Sequence, residues 1–419
     1  MRSRIPAPFA AALLTVALLA WPRPAEAIPA FARRYRTTCA TCHSPVPRLN
    51  AFGERFAANG FVLAVGEPPR DTIATGDPLL LLQQSVPLAV RLDAYVTALS
   101  RRAAGQASVD QQVPWVAKVL SGGQIADKIS YYVYFLASER GEVAGLEDAY
   151  VQFTDVGGSG VSVVAGQFQV SDPMFKRELR LTYEDFQPYR VRVGETRADL
   201  TYDRGIMASW SPRDGTDVVF EIVNGQGLNQ ANDARQFDPD GFKNVALRLS
   251  QDAGPLRLGV FGYYGEEKAD GIRSRIRVFG PDGTIPLGSK GELNVQLLRR
   301  WDDDPFLGSC TPATPCPGGS TVPFATTVNS AMAEAVFWPR GVGGRWWVTG
   351  LWNFVDASAP VVSLRLGEQS QNPPYLTRYH TGGLGLHYEL RRNVRLLGES
   401  AWDFERDQAR LTSGIVLAF

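Results

Sequence analysis

The chain has 419 residues, 43 basic and 43 acidic side chains, and three His. That balance gives no reason to expect nucleic acid or a polybasic membrane contact. Mean hydropathy is −0.13, and past the N-terminus no run approaches the roughly eighteen apolar residues of a membrane helix. A transmembrane barrel stays open, because its lipid-facing and lumen-facing residues alternate and its average looks soluble.

The first segment reads as an export signal. Arg2 and Arg4 precede an apolar run from Phe9 to Trp21, and Ala25-Glu26-Ala27 is an A-x-A cleavage site. Residues 1–27 are therefore expected to be removed, leaving a mature chain from Ile28 with a net charge near −2. Pro22-Arg23-Pro24 ends the run too early for a spanning anchor.

Shortly after comes Cys39-Ala-Thr-Cys42-His43, the C-x-x-C-H pattern of c-type haem attachment. Two thiols at this spacing can each add to a vinyl group of one porphyrin, and the adjoining imidazole can bind the iron. The motif predicts one haem c, with Cys39 and Cys42 as thioether donors and His43 as proximal ligand. A redox-active dithiol is the competing reading, but it lacks a βαβ context. Residues 28–66 make a domain too short to bury a core unaided, and a covalent haem would supply the missing apolar surface. Leu49, Phe52 and Phe56 recur at helical spacing, with Gly60 where a C-terminal cap would sit. One short helix carrying the motif and a second covering a haem face are expected.

Residues 67–87 read as a Pro-containing linker, and residues 88–419 change to period two. Ile129, Tyr131, Val133 and Phe135 share one face, and Ser130, Tyr132 and Tyr134 the other. Val245, Leu247 and Leu249 oppose Asn244, Ala246, Arg248 and Ser250. About sixteen strands follow, an even number in the range of outer-membrane barrels. Short turns are predicted at Ser121-Gly-Gly, Val156-Gly-Gly, Pro212-Arg-Asp-Gly, Asp252-Ala-Gly-Pro, Arg340-Gly-Val-Gly-Gly and Arg391-Arg-Asn. Long loops are predicted between them at 169–203, 226–241, 302–322 and 357–374, with 281–290 longer than the pattern wants. Short turns on one side and long loops on the other suit an all-β, antiparallel transmembrane barrel better than a soluble sandwich. The last strand alternates Leu411, Ser413, Ile415, Leu417 and Phe419 against small residues, similar to the assembly signal of bacterial outer-membrane proteins. Cys310 and Cys316 lie in a Pro- and Gly-rich loop with no further Cys or His nearby, so a disulfide is expected rather than zinc.

Ile28-Pro-Ala-Phe-Ala-Arg33, the Cys39–His43 motif, Pro47-x-Leu49-Asn50-Ala-Phe52-Gly53-x-x-Phe56 and Asn59-Gly60-Phe61 together resemble the opening of the outer-membrane monohaem cytochrome–porin fusions. Over the barrel the resemblance rests on architecture alone. It implies the same roles for Cys39, Cys42 and His43, and electron transfer across the outer membrane. Members in iron-oxidising bacteria take electrons from iron(II) outside the cell. Where the family carries an aromatic residue just after the motif's His, this chain has Ser44-Pro45-Val46.

A sixth iron ligand is not evident, since residues 28–66 hold no Met and no second His. His387 is the first candidate, on the small face of its strand near the periplasmic end. Met174 and Met207 follow, and a five-coordinate or water-ligated iron is the other possibility. The charged stretch within 169–203 reads first as a solvated extracellular loop, and alternatively as a charged constriction inside the barrel. Asp302-Asp303-Asp304 is either solvated or a weak cation site. Hydrolase, Walker and zincin motifs are missing. Three functions remain: electron transfer across the outer membrane, with extracellular iron(II) as a possible donor; a porin whose haem segment is a redox sensor or plug; and a soluble periplasmic cytochrome fused to a β-rich binding domain. Expected partners are outer-membrane lipid and a periplasmic electron carrier, either a soluble cytochrome c or a cupredoxin.

Overall fold

The computed structural model describes residues 30–63, 72–101, 107–143, 145–269, 271–364 and 375–419. The expected export signal, and with it Ile28 and Pro29, lies outside them.

The barrel opens with β1 (Leu88–Leu99), β2 (Val109–Ala126), β3 (Ile129–Glu139) and β4 (Gly145–Phe153). It continues with β5 (Val161–Gln169), β6 (Tyr202–Arg213), β7 (Thr216–Val223) and β8 (Asn244–Ala253). Then come β9 (Leu256–Ala269), β10 (Ile272–Pro286), β11 (Gly291–Asp302) and β12 (Thr326–Phe337). The last four are β13 (Trp346–Ala357), β14 (Arg378–Arg391), β15 (Val394–Asp403) and β16 (Gln408–Ala418). Each strand pairs antiparallel with the next, and β16 returns to β1 from Arg410↔Leu99 to Ala418↔Arg91. Closure leaves no unpaired sheet edge.

Burial separates this barrel from a soluble β protein. On β8 the polar Asn244, Arg248 and Ser250 are buried, while Leu247 and Leu249 are 41% and 45% exposed. On β11, Asn294, Gln296 and Arg300 are buried and Leu297 is 47% exposed. Polar residues face inward and large apolar ones outward, the arrangement a lipid surround favours and water does not.

Two turn expectations are corrected. Ser121-Gly-Gly is not a turn: β2 runs on to Ala126, and the reversal falls at Asp127-Lys128. The glycine is there to make room, because a Cβ on Gly122 would sit 3.0 Å from the ring of Phe31. The overlong connection at 281–290 also disappears, since β10 continues through Pro286. Pro281, opposite Val260, has no N–H to donate, and pairing to β11 lapses between Phe279↔Arg299 and Asp282↔Gln296.

The N-terminal segment folds into α1 (Ala30–Tyr35), α2 (Cys39–Cys42) and α3 (Ala51–Ala58). Within the stretch expected to be linker, Thr72–Ile73 pairs with Leu82–Gln83. Above the barrel, Val191–Val193 pairs with Val362–Leu364, joining two loops. Cys310 and Cys316 form a disulfide and pack with Val193, Phe306 and Val361.

Candidate functional site

The C-x-x-C-H motif is one helical turn. Cys39 and Cys42 open and close α2, and the His43 amide donates to the Cys39 carbonyl at 2.9 Å. Nδ1 of His43 lies 2.7 Å from the Pro47 carbonyl oxygen. A carbonyl only accepts, so Nδ1 carries the proton and Nε2 keeps its lone pair, as an axial iron ligand requires. Burial holds His43 below the ordinary histidine range, against the pull of the Pro47 and Arg48 carbonyls, which favours the neutral ring. Burial also pushes the Cys39 and Cys42 thiols up. An activated dithiol would show the opposite shift. Both cysteines are unpaired thiols, so the donor set fits a covalent haem.

Asn50 locks this turn to the second helix. Its Oδ1 accepts from the Gly53 amide at 3.0 Å, which caps α3, and its Nδ2 donates to the Thr41 carbonyl at 3.1 Å. Its own amide donates to the Cys42 carbonyl at 2.8 Å. Gly53 is needed because any Cβ there would run into the Cys42 carbonyl. Gly60, at φ +67°, ends the α3 segment in the left-handed region, as expected for a C-terminal cap.

An aromatic cluster stands in for a core. Phe31 stacks on Phe61 at 4.7 Å and meets Phe56 edge-on at 5.6 Å, and Tyr35 donates to the Phe61 carbonyl at 2.7 Å. The cluster docks on the barrel wall: Phe61 stacks on Tyr132 of β3 at 5.3 Å, and Gln152 of β4 donates to the Ala58 carbonyl at 2.7 Å. On its other side Arg48 pairs with Glu292 of β11 and, at 3.6 Å, with Glu334 of β12. Seven strands lie between β3 and β11 on either side of the sixteen-strand order. The small domain therefore reaches from one wall to the opposite one, across the end of the barrel that carries the short turns.

Within the lumen, the long connection after β5 is not a solvated exterior loop. It folds inward, the alternative placement. Glu178 pairs with Lys118 of β2, and Tyr189 donates to Gln296 of β11 at 3.0 Å. Glu184 accepts from Tyr379 of β14 at 2.6 Å and from Arg410 of β16 at 2.5 Å. Asn353 of β13 donates to the Asp185 carbonyl at 2.9 Å. Beneath these polar ties, Met174, Phe186 and Tyr189 pack with Phe168, Phe261, Val278, Leu298 and Met332 of the wall. A loop with its own apolar core, tied to several strands, constricts the lumen from within, and is called the plug below.

The other expected residues fall as follows. His387 faces inward near the short-turn end of β14 and is fully buried. Its ring stacks on Trp347 at 5.4 Å, and Nε2 lies 2.9 Å from the Thr349 hydroxyl. Among the described residues, Nδ1 of His387 has no hydrogen-bond partner. Met174 is in the plug's apolar core, and Met207 packs against that core from β6. Asp302 pairs with Arg300 at 2.8 Å, Asp303 with Arg277 at 2.5 Å, and Asp304 accepts from the Phe306 and Gly308 amides. The three carboxylates are thus spent on structure, not gathered around a cation. Arg48 and Asn50 carry roles that residue type alone did not disclose. Their signal was position, between a haem motif and the helix that must pack on it.

No family model and no curated protein matches the chain. Among solved structures, the chain is similar to a loop-L8 deletion form of OmpT, an outer membrane protein of Vibrio cholerae. The TM-score is 0.53 at 11% identity, over 80% of this chain and 99% of that one. It is also similar to the outer membrane channel DcaP of Acinetobacter baumannii (TM-score 0.52, 8% identity, covering 80% and 97%). Salmonella typhi OmpF, solved with daunomycin, gives 0.51 at 11% identity, covering 79% and 97%. Identities this low speak for fold alone. The class is a closed, sixteen-stranded, porin-type barrel, and on it sits a small helical segment that bears C-x-x-C-H.

Proposed function

We propose that this protein resides in the bacterial outer membrane and passes electrons across it through one haem c. The observation that carries the reading is the pairing of a ligand-ready motif with a passage narrowed by an inward-folded loop. His43 is held by Pro47 in the tautomer that binds iron, on a domain lying over a lumen into which the long loop folds and packs. Cys39 and Cys42 would hold the porphyrin covalently, and His43 would supply the proximal ligand. The haem, when bound, supplies a one-electron centre whose potential is set by axial ligation and burial. A narrowed lumen disfavours solute flow, whereas electrons need only neighbouring redox-capable groups. The expected donor is an extracellular one-electron reductant such as iron(II), and the acceptor a periplasmic cytochrome c or cupredoxin in transient contact.

The test is spectroscopic. Isolated protein should carry haem that survives acid–acetone extraction, and Cys39→Ala with Cys42→Ala should abolish it. In intact cells, iron(II) added outside should generate the reduced haem band. Reduction that appears only after the outer membrane is opened would overturn transfer across the membrane and leave the porin with a haem sensor or plug. Absence of covalent haem would overturn both.

A further inference from the structure

We infer that a file of aromatic side chains along one wall of the lumen carries electrons between the extracellular side and the haem domain. The inference rests on the haem reading above. Phe61, on the haem domain, stacks on Tyr132 at 5.3 Å, and Tyr132 stacks on Tyr134 at 6.5 Å, one step further along β3. At the other end Tyr95 of β1 meets Tyr183 of the plug at 5.0 Å, and Tyr183 meets Trp115 of β2 at 5.8 Å. Trp115 is the seventh residue of β2, level with the far end of β3, its carbonyl accepting from the Arg140 amide just beyond β3.

Hydrogen bonds bridge the two halves. Tyr134 donates to Glu178 at 3.2 Å, and Arg91 reaches the Glu178 carbonyl at 3.4 Å and Asp93 at 2.7 Å. Tyr95 donates to Asp93 at 3.2 Å. Both tyrosines thus point their hydroxyls at a carboxylate. A phenol that gives up an electron can pass its proton to that carboxylate and recover both when the next electron arrives. Over a full transfer the external donor would lose one electron, a haem held by Cys39, Cys42 and His43 would take it up, and every ring would return to its starting state. The plug takes part in this file: Glu178 and Tyr183 belong to it, so the loop that constricts the lumen also completes the path.

The test uses haem-loaded, full-length protein in whole cells, with iron(II) added outside and haem reduction followed by stopped flow. Tyr132→Leu and Tyr183→Leu should each slow reduction by at least about tenfold. Tyr132→Phe, which keeps the ring, should restore the wild-type rate, and Tyr134→Phe, which loses the proton transfer, should not. In lysed cells, where the donor meets the haem domain directly, all variants should match wild type. Should Tyr132→Leu fail to assemble, Tyr183→Leu and Tyr134→Phe carry the same comparison. Leucine variants reduced as fast as wild type in intact cells would overturn the file and leave transfer across the membrane standing. Wild type reduced only after lysis would overturn the function itself.

Discussion

Asn50→Ala is the sharpest test of how the haem motif is held. The substitution removes an N-cap bond to the Gly53 amide and a second bond to the Thr41 carbonyl, and leaves the backbone bond to Cys42 in place. A lost Asn cap costs about 1 kcal/mol, and a partly buried second hydrogen bond about another 1 kcal/mol. The expected loss is therefore ~2 kcal/mol, a roughly 30-fold shift toward the opened small domain. For a segment whose core is one aromatic cluster, that is a large share. Urea titration of the full chain, read by the Soret band for the domain and by far-UV dichroism for the barrel, separates the two. The Soret transition should move to lower urea while the β signal holds. Asn50→Asp keeps the acceptor and loses only the donor, so it should lie about midway. A Soret transition within ~0.5 kcal/mol of wild type for Asn50→Ala, below what a lost cap costs, would refute the account of how α2 and α3 are joined.

Two further outcomes concern the plug. Arg177 is buried against Asp185 at 2.6 Å, so Arg177→Met leaves that carboxylate with Arg190 as its paired cation, at 2.9 Å, and should destabilise the plug by about 1.5–3 kcal/mol; in planar bilayers this should appear as single-channel conductance above wild type, and an unchanged trace would show that the loop does not constrict the lumen. Burial alone would raise the Asp185 carboxyl, yet Arg177, Arg180 and Arg190 outweigh it and hold it well below the ordinary range. A depressed carboxylate adds stability above its unfolded value of about 3.9 and loses it as pH falls through the folded one. The Asp185 contribution should accordingly be constant from neutral pH down to about pH 4 and be lost only below that; a difference in conductance between wild type and Asp185→Asn that changes near pH 6 would contradict the assignment.

The barrel was legible because alternation survives in nearly every strand: Asn244 to Ser250 needed only period two to be placed. Glycine misled at Ser121-Gly-Gly, where it serves an aromatic neighbour some ninety residues away in sequence, Phe31, which no local pattern discloses. The plug was hidden by its charges. Lys176 to Arg197 reads as a solvated stretch, and only Lys118, Tyr379 and Arg410, scattered over three strands, show what those charges are for. The signal was present in another form: ionisable residues at inward positions of several strands have to find partners, and a charged loop of this length is where they can. The motif is a pattern of the sequence itself, but its clamp was not legible there, since hydrogen bonding by Asn50 and Arg48 depends on three-dimensional neighbours.

The porin-with-sensor alternative requires the haem domain to move the plug, and the contacts bound how far it can. The plug is tied to the wall by Glu178–Lys118, Glu184–Arg410, Tyr189–Gln296 and an apolar core. Toward the haem domain it offers Lys176, whose charge feels Glu54 of α3 but which already pairs with Asp172 at 3.6 Å. A partly solvated pair of this kind is worth about 0–1 kcal/mol. Driving the plug from 99% closed to 99% open needs about 5.5 kcal/mol of differential contact. A change in haem oxidation state acting through Lys176 and Glu54 falls far short of that, whereas the file through Tyr132 needs no movement at all. Conductance of the haem-loaded protein, measured in reducing and in oxidising buffer, should therefore differ by less than about fivefold. A redox-dependent opening larger than that would favour the sensor, and would require a coupling between haem domain and plug stronger than this charge pair.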